Sequence, residues 1–408
     1  MYSSSFIDIL VDKIEEDKLK KQYEENKDLL EEVSKFIIKK KLILYGGLTI
    51  NLILPKMYRF YKEFSLNDYD CYSKNALSDV NELAESLKKK GYNYIKIKKA
   101  QHQDTFKLYV GKLQILDITQ MSEELFDNLT KISKKERKTL KYYTENFVLI
   151  PISLIKRNLY FELARPIQSS FRWSKIYKRQ NILMKNYKNK PSKKLQKYIP
   201  ILPEYNNVIT KLKKYIKDNK YPIVDNYAIK LYKNIKNLDC CRIHEASNYL
   251  SILSNDFDKT TKEIVKLLKD NLSKKYEINV LNRTFHQEIL NKRNRIVIIN
   301  KETEKAFSII NVINNFDNCL STNIIDGYTV GSLDTILYLL YSHYIIYNIF
   351  SKNDNILDDT LYYINEYEKY INDELKNNPE KRLSTNCYGE VIENLKNWNK
   401  RMTVKKIK

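Results

Sequence analysis

Three observations predict a mixed α/β (α+β) fold. A short apolar run, LILYGG from Leu42 to Gly47, ends in a Gly-Gly pair and leads into a second apolar run, LTINLIL. The runs YNYIKIK, TFKLYV and KLQILDIT then crowd between residues 92 and 119, each with strand-type alternation. After a basic helical stretch, the strand-like runs YEINVLN, NRIVIIN and AFSIINV return in the last third of the chain.

Taken in order, residues 5 to 40 carry apolar residues at helical spacing with charges between them, which predicts a long helix. LILYGG reads as a short buried strand. LTINLIL reads as the first turns of a helix that Pro55 stops, because proline cannot continue the backbone ladder. LNDYDCYS, Leu66 to Ser73, is a second strand, and a helix follows from about Leu77 to Lys90. VGK supplies a tight hairpin turn between TFKLYV and KLQILDIT. Residues 122 to 220 are helical and basic, and the rest returns to mixed α/β. The longest uncharged stretch, Thr335 to Phe350, falls short of the roughly 20 residues a bilayer requires. It also holds four Tyr with Ser, His and Asn, so it reads as a buried helix. The predicted divisions are 1–40, 41–150, 151–220 and 221–408.

The formal charge of +22, from 72 Lys+Arg against 50 Asp+Glu, points to a polyanionic partner or to a Lys-rich solubilising surface. The five Cys are odd in number, show no C-x-x-C spacing and include an adjacent pair. They predict neither a disulfide framework nor a zinc site, and fit a reducing compartment. No signal peptide or membrane segment is expected, which predicts an intracellular protein.

Three carboxylates carry the chemistry. Asp68 and Asp70 are two apart in a predicted strand, so both side chains project from one face. Asp117 lies in LQILDIT, an otherwise apolar strand where an unpaired carboxylate is costly to bury. If the two strands are neighbours, the three converge and require a divalent cation such as Mg²⁺ to offset their repulsion. Gly46 and Gly47, between a strand and a helix about 20 residues upstream, would let the backbone approach a polyphosphate at a helix N-terminus.

Strand, Gly-Gly, helix, then D-x-D, then a lone Asp on a later strand resembles the signature of the polymerase β-like nucleotidyltransferase superfamily. Onto it fall Gly46, Gly47, Asp68, Asp70 and Asp117; the family often has a Ser at the turn, and here its hydroxyl role is either absent or taken by Thr49. A narrower run, ARPIQSSFRWSKIYKR from Ala164 to Arg179, resembles the poly(A) polymerase catalytic subunits of nucleocytoplasmic large DNA viruses, of giant-virus and asfarvirus type. The resemblance implies a nucleotidyltransferase domain with a mixed sheet, a basic helical segment, and a second, degenerate nucleotidyltransferase-like domain. In PIVDNYAIKLY, Asp225 and Asn226 stand where that second domain's glycines are expected. It also implies ATP as substrate, two divalent ions (Mg²⁺ or Mn²⁺) on Asp68, Asp70 and Asp117, and a homodimer or a separate viral processivity subunit. The implied location is the host cytoplasm, at the viral factory, or packaging in the virion.

From Arg172 to Lys197 there are ten basic residues and no acidic one, with aromatic residues between them. That mixture suits single-stranded RNA, with phosphates held by cations and bases stacked on rings. Arg172, Tyr177, Lys178, Lys185, Lys188, Lys190, Lys193 and Lys194 are the candidate RNA contacts. Trp173, Lys175 and Arg179 match the viral run and are candidate triphosphate contacts, with Lys156 as a further one. The expected reaction is transfer of AMP from ATP to an RNA 3′-hydroxyl with release of pyrophosphate. The rivals are a uridylyl- or CCA-adding enzyme and a non-catalytic RNA-binding protein that keeps the fold.

Overall fold

The computed structural model describes residues 4–100, 104–143, 145–189, 206–224, 226–233, 250–284, 289–315, 318–350, 354–374, 382–390 and 404–406. Two units make up the chain, Met1–Ile155 with Asn394–Lys408, and Lys156–Glu393.

The first unit opens with helix α1 (Ser4–Lys40). Leu29, Val33, Phe36 and Ile37 fall on one face and are buried, which ties the C-terminal half of the helix to the core. Lys41 ends it in a left-handed conformation (φ 54°), and the Leu42 N–H donates back to the Ile37 carbonyl. Strand β1 (Ile43–Tyr45) follows, and helix α2 (Gly46–Ile53) starts at once and stops ahead of Pro55. Next come β2 (Tyr69–Ser73), α3 (Ala76–Lys89), β3 (Ile95–Lys99), β4 (Thr105–Val110) and β5 (Leu113–Gln120). Then α4 (Glu123–Arg137) and β6 (Val148–Leu149) lead to α5 (Ile152–Leu163). With β14 (Val404–Lys406), the strands form one sheet in the order β14-β3-β4-β5-β2-β1-β6. The β2–β5 and β1–β6 pairs are parallel, and the other pairs are antiparallel. Helix α3 lays Ala76, Val80, Leu83, Ala84 and Leu87 on the sheet, an apolar stripe at helical spacing. The predicted strand Leu66 to Ser73 is shorter than expected, since Asp68 precedes β2.

The second unit holds α6 (Pro166–Ser169), α7 (Trp173–Asn186), α8 (Asn206–Asp218), α9 (Asn226–Tyr232), β7 (Leu250–Ser254) and α10 (Phe257–Asn271). Strands β8 (Tyr276–Arg283), β9 (Arg293–Asn300), β10 (Ala306–Asn314), β11 (Leu320–Ile325) and β12 (Tyr328–Gly331) follow. Helices α11 (Leu333–Phe350) and α12 (Asp354–Glu374) and strand β13 (Cys387–Tyr388) complete it. Helix α11 is buried on nearly every side from Leu333 to Ile346, as its uncharged sequence predicts. Among the described residues, no helix is long and apolar enough to cross a membrane.

This unit repeats the topology of the first. Strand β7, helix α10 and the meander β8–β9–β10 form a sheet in the order β7-β10-β9-β8, with β10 parallel to β7. Strand β2, helix α3 and β3–β4–β5 are arranged in the same way. Ile223, just ahead of α9, bridges Ile252 in the antiparallel sense, as β1 does with β2. A side-chain bond six residues long closes each strand-to-helix turn, Ser73 Oγ to Asp79 Oδ2 (2.5 Å) and Ser254 Oγ with Thr260 Oγ1 (2.8 Å). In this alignment Ser251 and Asn311 take the places of Asp70 and Asp117. Both are buried, and Asn311 Nδ2 donates to Ser251 Oγ (3.3 Å). A neutral hydrogen-bonded pair therefore stands where the first unit has two carboxylates. Asp225 lies outside the described residues.

One expectation is overturned. Cys319 and Cys387 form a disulfide. They are 68 residues apart, and the antiparallel pairing of β11 with β13 brings them together, which spacing in the chain does not reveal. Cys71 is a buried free thiol.

Candidate active site

The parallel pairing of β2 with β5 sets Asp70 opposite Asp117, and Asp68 lies one residue before β2. Each of the three offers a carboxylate oxygen within 4.8 Å of the others. The convergence expected from sequence is thus present in the first unit, with all three residues partly exposed.

Gly46 lies against this cluster. Its φ of +77° is in the left-handed region, and a Cβ there would sit 2.0 Å from Asp70 Oδ2 and 2.8 Å from Asp70 Cγ. Only glycine allows both the backbone conformation and that approach. Helix α2 begins at this point, so its N-terminal N–H groups and dipole lie beside the carboxylates, where an anion bridged by a cation is favoured. Gly47 is buried one residue on. Thr49 is also fully buried, and its hydroxyl finds no hydrogen-bond partner among the described residues.

Two polar side chains that the sequence reading did not single out complete the cluster. Lys107 Nζ donates to Asp117 Oδ2 (2.6 Å). Gln114 Nε2 donates to Asp68 Oδ2 (2.5 Å) and to Asp117 Oδ1 (3.0 Å), and so ties two of the carboxylates together. Tyr109 OH and Lys107 Nζ hold the Gln114 carbonyl oxygen at 2.8 and 3.2 Å. Burial raises the Asp117 carboxyl above its ordinary value, the Lys107 hydrogen bond and charge oppose the rise, and the charge of Asp68 adds to it. The neighbouring Tyr45 phenol is pushed well up by burial and then by the charge of Asp70, while its hydroxyl bonds Thr119 Oγ1 (3.0 Å). The thiol of Cys71, behind the cluster, is raised by burial first and then by Asp70 and Asp117.

Three carboxylates crowded together, with the Lys107 ammonium and the Gln114 amide among their partners, form a set suited to a hard divalent cation. Asp68, Asp70 and Asp117 would hold it, and it would neutralise the cluster and polarise phosphate oxygens and a hydroxyl.

The other candidates lie in the second unit. Lys156 is fully buried, and its ammonium donates to Asn189 Oδ1 (3.0 Å) and lies 3.9 Å from Glu368 Oε1. Trp173 is buried and donates through Nε1 to the Glu162 carbonyl (3.0 Å). Lys175 is exposed and Arg179 is buried, although they are four apart on α7. Of the candidate RNA contacts, Lys178, Lys185 and Lys188 are exposed, while Arg172 and Tyr177 are half-buried. Arg172 reaches Glu162 (3.5 Å), and the Tyr177 ring lies under the Arg382 guanidinium (5.0 Å). Lys190, Lys193 and Lys194 lie outside the described residues. Helix α7 thus turns Trp173, Ile176, Gln180 and Leu183 inward and keeps Lys175, Lys178 and Lys185 outside.

A family model described as the poly(A) polymerase catalytic subunit matches residues 31–169. The segment with the carboxylate cluster matches that viral family. It takes in the Gly46–Gly47 turn and all three Asp, and it ends at Ser169, inside the Ala164 to Arg179 run. A protein of African swine fever virus (isolate Pig/Kenya/KEN-50/1950), named provisionally a poly(A) polymerase catalytic subunit, is 36% identical over 112 residues, 27% of this chain and 24% of that protein. A protein of Acanthamoeba polyphaga mimivirus with the same provisional name is 27% identical over 203 residues, 48% of this chain and 33% of its own length. The matched part of the chain therefore spans about a quarter to a third of the length of these curated relatives. The crystal structure of the Megavirus polyadenylate synthase superposes with a TM-score of 0.78 at 16% identity, covering 99% of this chain and 86% of that one. The chain has that fold.

Proposed function

We propose that this protein is a poly(A) polymerase that adds AMP from ATP to RNA 3′ ends without a template and releases pyrophosphate. The observation that carries the proposal is the register pairing of Asp70 with Asp117, with Asp68 within 4.8 Å, against the Gly46 backbone. In this reading the N-terminus of α2 and the Gly46–Gly47 backbone receive the triphosphate, because N–H groups and the helix dipole favour its charge. Asp68, Asp70 and Asp117 hold two divalent ions, Mg²⁺ or Mn²⁺, which supply charge neutralisation at the reacting phosphate and the attacking hydroxyl. Gln114 fixes the rotamers of Asp68 and Asp117, and so keeps the cluster in one geometry before substrate arrives. The exposed Lys178, Lys185 and Lys188 of the second unit serve as phosphate contacts for single-stranded RNA. A homodimer or a separate processivity subunit is the proposed assembly, and the host cytoplasm the proposed place of action.

The test is primer extension with a labelled short RNA, Mg²⁺ or Mn²⁺, and each nucleoside triphosphate separately. The Asp68→Ala/Asp70→Ala double variant runs beside it. Long tails with ATP alone, absent in the variant, are the expected result. Tails with UTP would make it a uridylyltransferase of the same fold. RNA binding with no extension under any condition would replace the enzyme with a binding protein.

A further inference from the structure

Between α2 and Asp68 runs a segment, Lys56 to Phe64, that neither the catalytic cluster nor the core accounts for. It reads KMYRFYKEF and begins with a single turn of 3-10 helix, Lys56–Tyr58. Met57 is 80% exposed and Tyr58 is 40% exposed, with Lys56 and Lys62 exposed beside them. Scattered apolar residues on a surface require no explanation, but here Met57, Tyr58, Phe60 and Tyr61 fall within five residues. Lys56, Arg59 and Lys62 alternate with them, against the one acid Glu63.

The segment is pinned at both ends. The buried Asn51 of α2 accepts, through Oδ1, the backbone N–H groups of Phe60 (3.0 Å) and Tyr61 (3.1 Å). Arg59 Nε donates to the Leu54 carbonyl (3.3 Å), and the Phe60 and Tyr61 rings meet edge to face at 4.8 Å. At the far end, Phe64 packs against Tyr23 of α1 (5.8 Å), under the ammonium of Lys20 (5.6 Å). A rigid frame therefore presents Met57 and Tyr58 outward rather than letting them fold into the core.

Its place relative to the carboxylates follows from the chain. Helix α2 starts against Asp70 and has eight residues, a length of about 12 Å, and the segment runs from its far end back to Asp68. Twelve ångströms is about three to four stacked bases. Flat and apolar side chains interleaved with cations match single-stranded nucleic acid, whose bases stack whatever their identity while phosphates meet Lys and Arg.

We infer that Lys56–Lys62 is a binding platform for the primer RNA a few nucleotides upstream of its 3′ end, with Tyr58 stacking on a base, Met57 packing against the bases, and Lys56 and Lys62 meeting phosphates. The inference rests on the polymerase reading for the identity of the strand and on the exposed, pinned segment for the site.

The test measures binding of a labelled short RNA by fluorescence anisotropy, and extension of the same RNA, for wild type, Met57→Ser/Tyr58→Ala and Lys56→Gln/Lys62→Gln. The first variant weakens RNA binding at least about fivefold, the low end for one lost stacked base. Its KM for RNA rises, while KM for ATP and kcat at saturating primer stay as in wild type. The second variant lowers the slope of log affinity against log salt by about 0.7 for each lost phosphate contact. It also decides the matter should the first variant fold poorly, which thermal melting reads. Wild-type affinity and salt slope in both variants overturn the inference. A wild type that binds RNA but extends nothing sinks the polymerase reading alone, provided the variants still lose affinity. A wild type that binds no RNA overturns both.

Discussion

Replacing Gly46 by alanine separates two costs that usually come together. The new Cβ would lie 2.0 Å from Asp70 Oδ2, about 1.4 Å short of ordinary contact, so the carboxylate has to swing away. Alanine also has to hold φ near +77°, which costs about 1–2 kcal/mol for any residue with a Cβ. Gly111, in the β4–β5 turn, supplies the control, because its φ is +58° and nothing lies within 4 Å of its added Cβ. Both substitutions should lower the unfolding free energy by about 1–2 kcal/mol in urea. Only Gly46→Ala should affect catalysis. Displacing a reacting ligand by about 1 Å costs on the order of a hundredfold in rate, so kcat for primer extension should fall at least about that far. RNA binding should be unchanged in both variants. Near-wild-type turnover in Gly46→Ala would refute the packing of this glycine against the catalytic carboxylate. Equal loss in Gly111→Ala would assign the effect to backbone strain instead.

Lys107→Met removes the ammonium bonded to Asp117, while Gln114 still donates to Asp68 and Asp117. The metal-free protein should lose about 1–2 kcal/mol, since the pair is only partly buried, and Mg²⁺ should raise the melting temperature more than in wild type; an equal Mg²⁺ shift counts against the assignment. Burial, and after it the charge of Lys230, lowers the Lys213 ammonium to about 8 from its ordinary 10.5. The unfolded chain then binds more protons between these values, so stability should rise as pH climbs from about 8 towards 10.5, with the cost fully present below 8. Lys213→Met should flatten that rise in urea midpoints, and an unchanged slope would show that Lys213 is not its source. Reducing the Cys319–Cys387 bond reopens a 68-residue separation and should destabilise the second unit by about 4 kcal/mol. Peptide mapping of the oxidised protein should find the linked pair, and quantitative alkylation of both thiols without reductant would exclude it.

What the chain specified by itself is what depends on near neighbours. Alternation marked β4 and β5 at their observed positions, VGK marked the turn between them, and the Gly-Gly pair marked the start of α2. An acid in an apolar strand was enough to single out Asp117, because burial makes an unpaired carboxylate expensive wherever the strand lies. Asp68 and Asp70 were legible from their spacing, although Asp68 stands just outside β2.

Tertiary structure decided the partners. The β4–β5 register slips by one residue between Leu108 and Tyr109, and only that bulge brings Lys107 opposite Asp117. Without it, Lys107 would face Leu116, and its side chain would point to the other side of the sheet. The resemblance of α7 to the viral run did not distinguish buried Arg179 from exposed Lys175, because a helical face acquires an inside only when something packs on it. Lys156 looked like a ligand contact in a basic stretch, and its ammonium is held by Asn189 and Glu368, 33 and 212 residues further on. The disulfide and the repeated topology of the second unit follow the same rule. Ser251 and Asn311 say nothing singly, and only the parallel pairing of β7 with β10 places them where the first unit has its carboxylates. Local propensity is written in consecutive residues, whereas register, burial and pairing belong to segments that meet only after the chain has folded.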